Sequence, residues 1–200
     1  MTDLDAPRLK QELERLPRGR QVAFALLLCE RMVPALEKFA REAGFDGCRY
    51  REGLDSVWRY LDKGGSSSNY AQLAERCLDH APDTEEFDHP LTSAALNAAL
   101  SIAATISFLA DDDVDHVVEA AGLARDTAAL YAQATEATPP RSLSLEEVMR
   151  HPLMQQELRQ QKQDLEFVDT LPRDDSQRLI SLLKDRAAKT PAILPSENGY

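Results

Sequence analysis

Along nearly the whole chain, apolar residues recur at intervals of three and four, and no segment alternates apolar with polar residues between turn signals. That pattern predicts helices and no strands. A short helix is expected over about Pro7–Leu16. Pro17 then opens a long one to Ala43, closed by Gly44. Its apolar stripe is Val22, Leu26, Cys29, Val33, Leu36 and Ala40, widened by Phe24, Leu27 and Leu28. Pro34 lies inside it and removes one ladder bond, so a kink is expected near residues 30–34. A third helix, about Tyr50–Asp62, turns Leu54, Val57, Trp58 and Leu61 inward. Gly64-Gly65-Ser66-Ser67-Ser68 reads as a flexible connection to a helix over Asn69–His80.

Leu91–Ala110 carries no charge for 20 residues, a membrane-spanning length. It is mostly alanine, however, with Ser93, Asn97, Ser101, Thr105 and Ser107 inside it. Acidic residues flank both ends, and neither end has a Lys or Arg for a headgroup layer. The segment therefore reads as a buried central helix. Asp111–Asp113 cap the next, about Val114–Glu136, with Val117, Val118, Ala121, Leu130 and Tyr131 inward. Thr138-Pro139-Pro140-Arg141 is a break. Ser144-x-x-Glu147 is a capping box opening a helix to about Leu171, disturbed at His151-Pro152. A last helix covers about Asp175–Ala188. With short connections, the expected fold is all-α: one compact bundle of about seven to eight helices with mostly antiparallel neighbours, over residues 1–189. Residues 190–200, with Pro191, Pro195 and Gly199, form an irregular tail.

Composition narrows function by exclusion. The 200 residues hold 34 acidic and 23 basic side chains, for a formal net charge of −11. A chain of this size buries about 70% of its unfolded surface, enough for one substantial core. The charge is not even: residues 52–138 contain 16 acidic and 4 basic groups, whereas residues 1–51 contain 8 and 10. Such a chain lacks the clustered cations of a nucleic-acid binder, and its acidic middle is expected to repel an anionic membrane or a polyphosphate ligand and to attract a cation or a basic partner. Cys29, Cys48 and Cys77 are an odd count without C-x-x-C spacing, so they give no disulfide framework or four-cysteine zinc site. With a charged N-terminus lacking a signal-type apolar run, they make the cytoplasm the expected compartment.

Three constellations could carry chemistry. Asp111-Asp112-Asp113-Val114-Asp115-His116 with Glu119 puts Asp112, His116 and Glu119 at helical spacings of three and four, a ligand set for a divalent cation. The bland alternative is a cluster of helix-capping aspartates. Ser93, Asn97, Ser101 and Thr105 form a polar ridge, which suits close helix packing or a pocket at Asn97 and Ser101. Glu30 and Arg31 ride beside Cys29 on an apolar helix, either as a buried ion pair or facing solvent. Glycine-rich phosphate loops, H-E-x-x-H and nucleophile elbows are all lacking, and no cofactor is implied.

The run Leu28-Cys29-Glu30-Arg31-Met32-Val33-Pro34, continued by Phe39, Gly44-Phe45, Tyr50, Leu54-Asp55 and Val57-Trp58, resembles the YjaG-like family of bacterial proteins. Phe87-Asp88, His116-x-Val118-Glu119 and the stretch from His151-Pro152 to Leu182 follow the same order. The resemblance spans residues 9–188 and implies a cytoplasmic all-α fold. It supplies no catalytic residues, because the family is catalogued as a domain of unknown function. The resulting expectation is a bacterial protein acting by binding, either to itself as a homo-oligomer or to another protein. The alternative is a metal-dependent hydrolase built on the cluster at residues 111–119, so whether the chain is an enzyme stays open.

Overall fold

The structure, a computed structural model, describes residues 5–65, 69–135, 142–172 and 175–194. These form nine helices and no strand among the described residues: α1 (Ala6–Glu14), α2 (Arg18–Ala43), α3 (Cys48–Lys63), α4 (Tyr70–Leu78), α5 (Thr92–Asp111), α6 (Asp115–Thr135), α7 (Leu145–Arg150), α8 (Pro152–Asp169) and α9 (Ser176–Lys189). The all-α expectation holds. Most of the sequence signals act where they stand. Asp5 caps α1 through the Arg8 amide, Gly44 ends α2 in the left-handed region at φ 70°, and the Ser144–Glu147 capping box opens α7.

The alanine-rich segment is the centre of the bundle. α5 packs against α2, α4 and α6, with α3 also touching it, and Ala95, Ala98, Ala99, Ile102, Ala103 and Ile106 are fully enclosed. Where α5 presents its two large isoleucines instead of alanine, the room is made on the neighbouring helix, at Gly53 of α3. A Cβ built there would come within 2.9 Å of Ile106 and 3.2 Å of Ile102. α5 is long and apolar enough to cross a membrane, but its length is sheathed by other helices of the same chain. The far side of α2 is covered by α8 and α9, and α6 also packs against α8.

Several expectations are refined. α2 runs as one continuous helix through Pro34, whose ring lies at the exposed surface. The disturbance at His151-Pro152 is a full division: His151 adopts ψ 138°, ending α7 while its side chain accepts from the Leu153 amide to start α8. Leu130, expected inward, is 46% exposed on α6, because the packed stripe there follows Val117, Ala121, Ala124 and Ala128. Ile193 of the irregular tail is buried, and its amide donates to the Arg31 carbonyl. The break at residues 138–141, residues 66–68 of the glycine-serine connection and the tail from residue 195 lie outside the described residues.

Candidate functional site

The three constellations found in the sequence are resolved differently by the fold. The acidic cluster is divided between two helix ends. Asp112 closes α5 at φ 65° and pairs with Arg18, which also donates to the Leu109 carbonyl at 2.9 Å. Asp113 accepts the Asp115 amide at 3.0 Å as α6 begins. His116 stands between Asp111, at 3.1 Å, and Glu119, at 3.7 Å, on the exposed side. Desolvation is the largest single influence and raises the Asp111 carboxyl, but the Asp113 amide and His116 together outweigh it and hold the group below its usual range. Asp112 thus faces Arg18 rather than His116. Among the described residues, no group of three His, Cys, Asp or Glu side chains is placed to hold a metal ion.

The polar ridge of α5 is packing chemistry. Thr105 Oγ1 donates back to the Ser101 carbonyl at 2.8 Å, and the Cys29 sulfur lies 3.5 Å from the Ser101 hydroxyl and 3.3 Å from that of Thr105. Asn97 donates to Thr127 Oγ1 of α6 at 3.1 Å. Burial pushes the Cys29 thiol up to about 11, so it is a protonated core side chain and not a poised nucleophile.

Glu30 and Arg31, adjacent in sequence, separate. Glu30 accepts the Trp58 indole N–H of α3 at 2.7 Å. Arg31 is almost wholly buried and forms a two-pronged pair with Glu157 of α8, its second contact at 3.1 Å. Its Nε faces Asp164 at 3.5 Å, and Asp164 in turn receives Arg186 of α9 at 2.8 and 2.9 Å and Gln160 at 2.9 Å. Gln161 bridges Glu157 at 2.8 Å to the Ala121 carbonyl of α6 at 3.0 Å. This network ties four helices together with every charge opposed. In such a network the cost of desolvation offsets the Coulomb attraction, so its net stabilisation is small, whereas removing one partner leaves a buried charge uncompensated. Glu157 and Asp164 were not among the sequence candidates. The signal that could have found them is their seven-residue separation within a helix, on one face, in a stripe otherwise expected to be apolar.

A hollow remains that none of these groups fills. Between the C-terminal half of α2 and the start of α3 runs a groove of about 440 Å³. Val33, Leu36, Ala40, Phe45 and Leu54 make its apolar lining. Gly44 and Gly47 set the splay of the two helices: the first supplies the left-handed turn, and a Cβ on the second would lie 3.2 Å from Ala40. Phe45 is fixed between Phe39, with ring centroids 5.4 Å apart, and Tyr50, stacked at 6.2 Å. The Tyr50 hydroxyl reaches the Cys77 carbonyl of α4 at 3.1 Å. Charges of both signs stand around the lining: Glu37 pairs with Arg51 from α2 to α3, and Arg41 and Asp46 are also present. The Cys48 amide holds the Asp46 carboxyl below the usual range. The sequence stripe that includes Val33, Leu36 and Ala40 reads simply as core, and Val33 and Leu36 are buried there; only Ala40 is half-open to the groove, because periodicity does not show where two helices diverge.

Comparison with known proteins agrees with this architecture. Residues 8–191 match a family described as "Protein of unknown function (DUF416)". The chain is 31% identical over 147 residues to "Uncharacterized protein YjaG" of Escherichia coli strain K12, covering 72% of this chain and 74% of that one. An uncharacterized protein of Haemophilus influenzae is 26% identical over 114 residues, 56% of this chain and 58% of its own. The crystal structure of a DUF416 family protein from Shewanella baltica superposes with a TM-score of 0.79 at 22% identity, covering 94% of this chain and 97% of that one, a likeness of fold. The resemblance carried by the Leu28–Pro34 run is therefore sound, and the chain belongs to the DUF416 family.

Proposed function

We propose that this DUF416 protein works by binding a partner protein in the cytoplasm, and that the α2–α3 groove is where the partner docks. The observation carrying this reading is the groove itself: about 440 Å³ of recess with an apolar lining and charges of both signs around it. Half-buried Ala40 and Phe45 offer an apolar strip at the mouth of the recess, with Val33, Leu36 and Leu54 buried behind them, which suits the apolar face of an amphipathic helix laid across it. Glu37, Arg41, Asp46 and Arg51 would then fix its register, since mixed charges around an interface select partner and orientation more than they add affinity. Three free cysteines, two of them buried, accord with a reducing compartment.

The test is site-specific photocrosslinking in cells, with the probe at Arg41 or at Gln133 on α6 as a control. A discrete adduct from Arg41 alone, lost when Ala40→Trp fills the groove, is the expected result. An adduct containing a second copy of the chain would make the partner a homo-oligomer. Equal labelling from both positions, or adducts untouched by Ala40→Trp, would count decisively against the groove.

A further inference from the structure

The middle of the chain, residues 52–138, contains only four basic side chains, and three of them line one recess. Arg59 and Lys63 lie one turn apart on α3, and Arg76 reaches the same hollow from α4. The recess measures about 330 Å³. Its remaining wall is largely polar, with Ser56, Tyr60, Asn69 and Tyr70 beside Leu73. Gathering like charges four residues apart on a helix and adding a third from a neighbour opposes folding rather than assisting it. Five arginines elsewhere, Arg18, Arg20, Arg31, Arg51 and Arg186, each meet a carboxylate, whereas others such as Arg8 and Arg159 stand singly at the surface; the recess differs in gathering three cations at one place. None of the three cations in the recess forms an ion pair with a carboxylate among the described residues. Arg59 uses its Nε on the Asp55 carbonyl of its own helix, at 3.2 Å, which leaves its two terminal amino groups.

A second feature adds to the positive potential. α4 begins at this wall, with Asn69 and Tyr70 in its lining. The positive end of the helix therefore reinforces the three side chains.

We propose that this recess binds a small phosphate-bearing molecule, with Arg59, Lys63 and Arg76 as its charge partners. Two guanidinium forks and an ammonium suit the several oxygens and multiple charge of a phosphate ester or pyrophosphate group. The surroundings set the size of the ligand. The same stretch of chain carries 16 acidic groups, so an extended polyanion such as nucleic acid would meet repulsion beyond the recess. A ligand confined to it stays within a Debye length of about 8 Å from the cations. The recess shares no lining residue with the α2–α3 groove, so the two readings stand or fall separately.

Isothermal titration with inorganic pyrophosphate in low salt is the direct test. Saturable one-to-one binding is expected, weakened several-fold by Arg76→Gln and at least about 30-fold by the triple change Arg59→Gln, Lys63→Gln, Arg76→Gln, in line with charge-assisted contacts. All three side chains are exposed, so these variants should fold, with circular dichroism as the check. Arg41→Gln in the groove should leave binding unchanged. Absence of saturable binding, or binding undiminished in the triple variant, would overturn the proposal. Citrate binding as tightly as pyrophosphate would overturn the phosphate assignment, and a duplex oligonucleotide binding more tightly would overturn the small-ligand assignment.

Discussion

Two residues apart on α2, Cys29 and Arg31 meet different parts of the bundle. Cys29 touches the hydroxyls of Ser101 and Thr105 on α5, where small side chains bring backbones together. Arg31 reaches Glu157 and Asp164 on α8, where buried charges, with half-buried Arg186 of α9, hold α8 and α9 in place. On the α5 side the contact depends on shape, and a misfit there is a steric problem. On the α8 side it depends on charge balance, and a missing partner leaves an ion without solvent. The comparison separates two kinds of sensitivity within one helix, and each can be probed alone.

The largest expected effect is on the charged side. Arg31→Met leaves Glu157 buried without its cation and should cost about 3–5 kcal/mol in chemical denaturation. Adding Glu157→Met should recover much of that loss. If the double variant is no more stable than the single, the network is not governed by charge balance.

The next effect tests the α5 side through pH. Burial disfavours the thiolate and pushes the Cys29 thiol up from its ordinary 9.0 to about 11 in the folded protein. The folded state therefore holds its proton where the unfolded chain has lost it, so this contribution is intact below pH 9 and is lost between pH 9 and 11. At about 1.4 kcal/mol per pKa unit, roughly 2–3 kcal/mol should be lost across that window. Burial pushes the Cys77 thiol up to about 11 as well, so Cys29→Ala should lessen the slope of that part of the profile without abolishing it; equal slopes in the two proteins would refute the assignment.

A steric probe should follow in size. Gly53→Ala places a methyl group within 2.9 Å of Ile106 and should destabilise by about 1–3 kcal/mol, read from the urea midpoint. A neutral outcome would mean that α3 and α5 are looser than the geometry indicates. The smallest effect belongs to the exposed acidic cluster. His116→Ala should shift stability by about 0.5 kcal/mol or less, and Mn²⁺, Mg²⁺ or Zn²⁺ should leave the melting temperature unchanged. A saturable, His116-dependent rise with any of these ions would restore the cluster as a site.

Much of the fold is legible in the residues because its signals are local. Pro17 and Gly44 bound α2, Ser144 with Glu147 opens α7, and the uncharged alanine run marks the central helix. The errors share one origin. Leu130 fits an apolar period yet faces outward, since periodicity says which face is apolar but not how far the neighbouring helices reach. The candidate chemistry was less legible. Asp112, His116 and Glu119 share a helical spacing but not a conformation, because Asp112 belongs to the end of α5 and the other two to α6.

The sequence by itself determined the helices, their caps, the buried central segment and the concentration of negative charge, all consequences of neighbours within about one helical turn. Only the tertiary structure decided that Arg31 meets Glu157, 126 positions away, that α2 and α3 diverge to leave a groove, and that Arg59, Lys63 and Arg76 converge on one recess. These depend on how whole helices pack, a balance of many weak long-range contacts that no local pattern in the chain records.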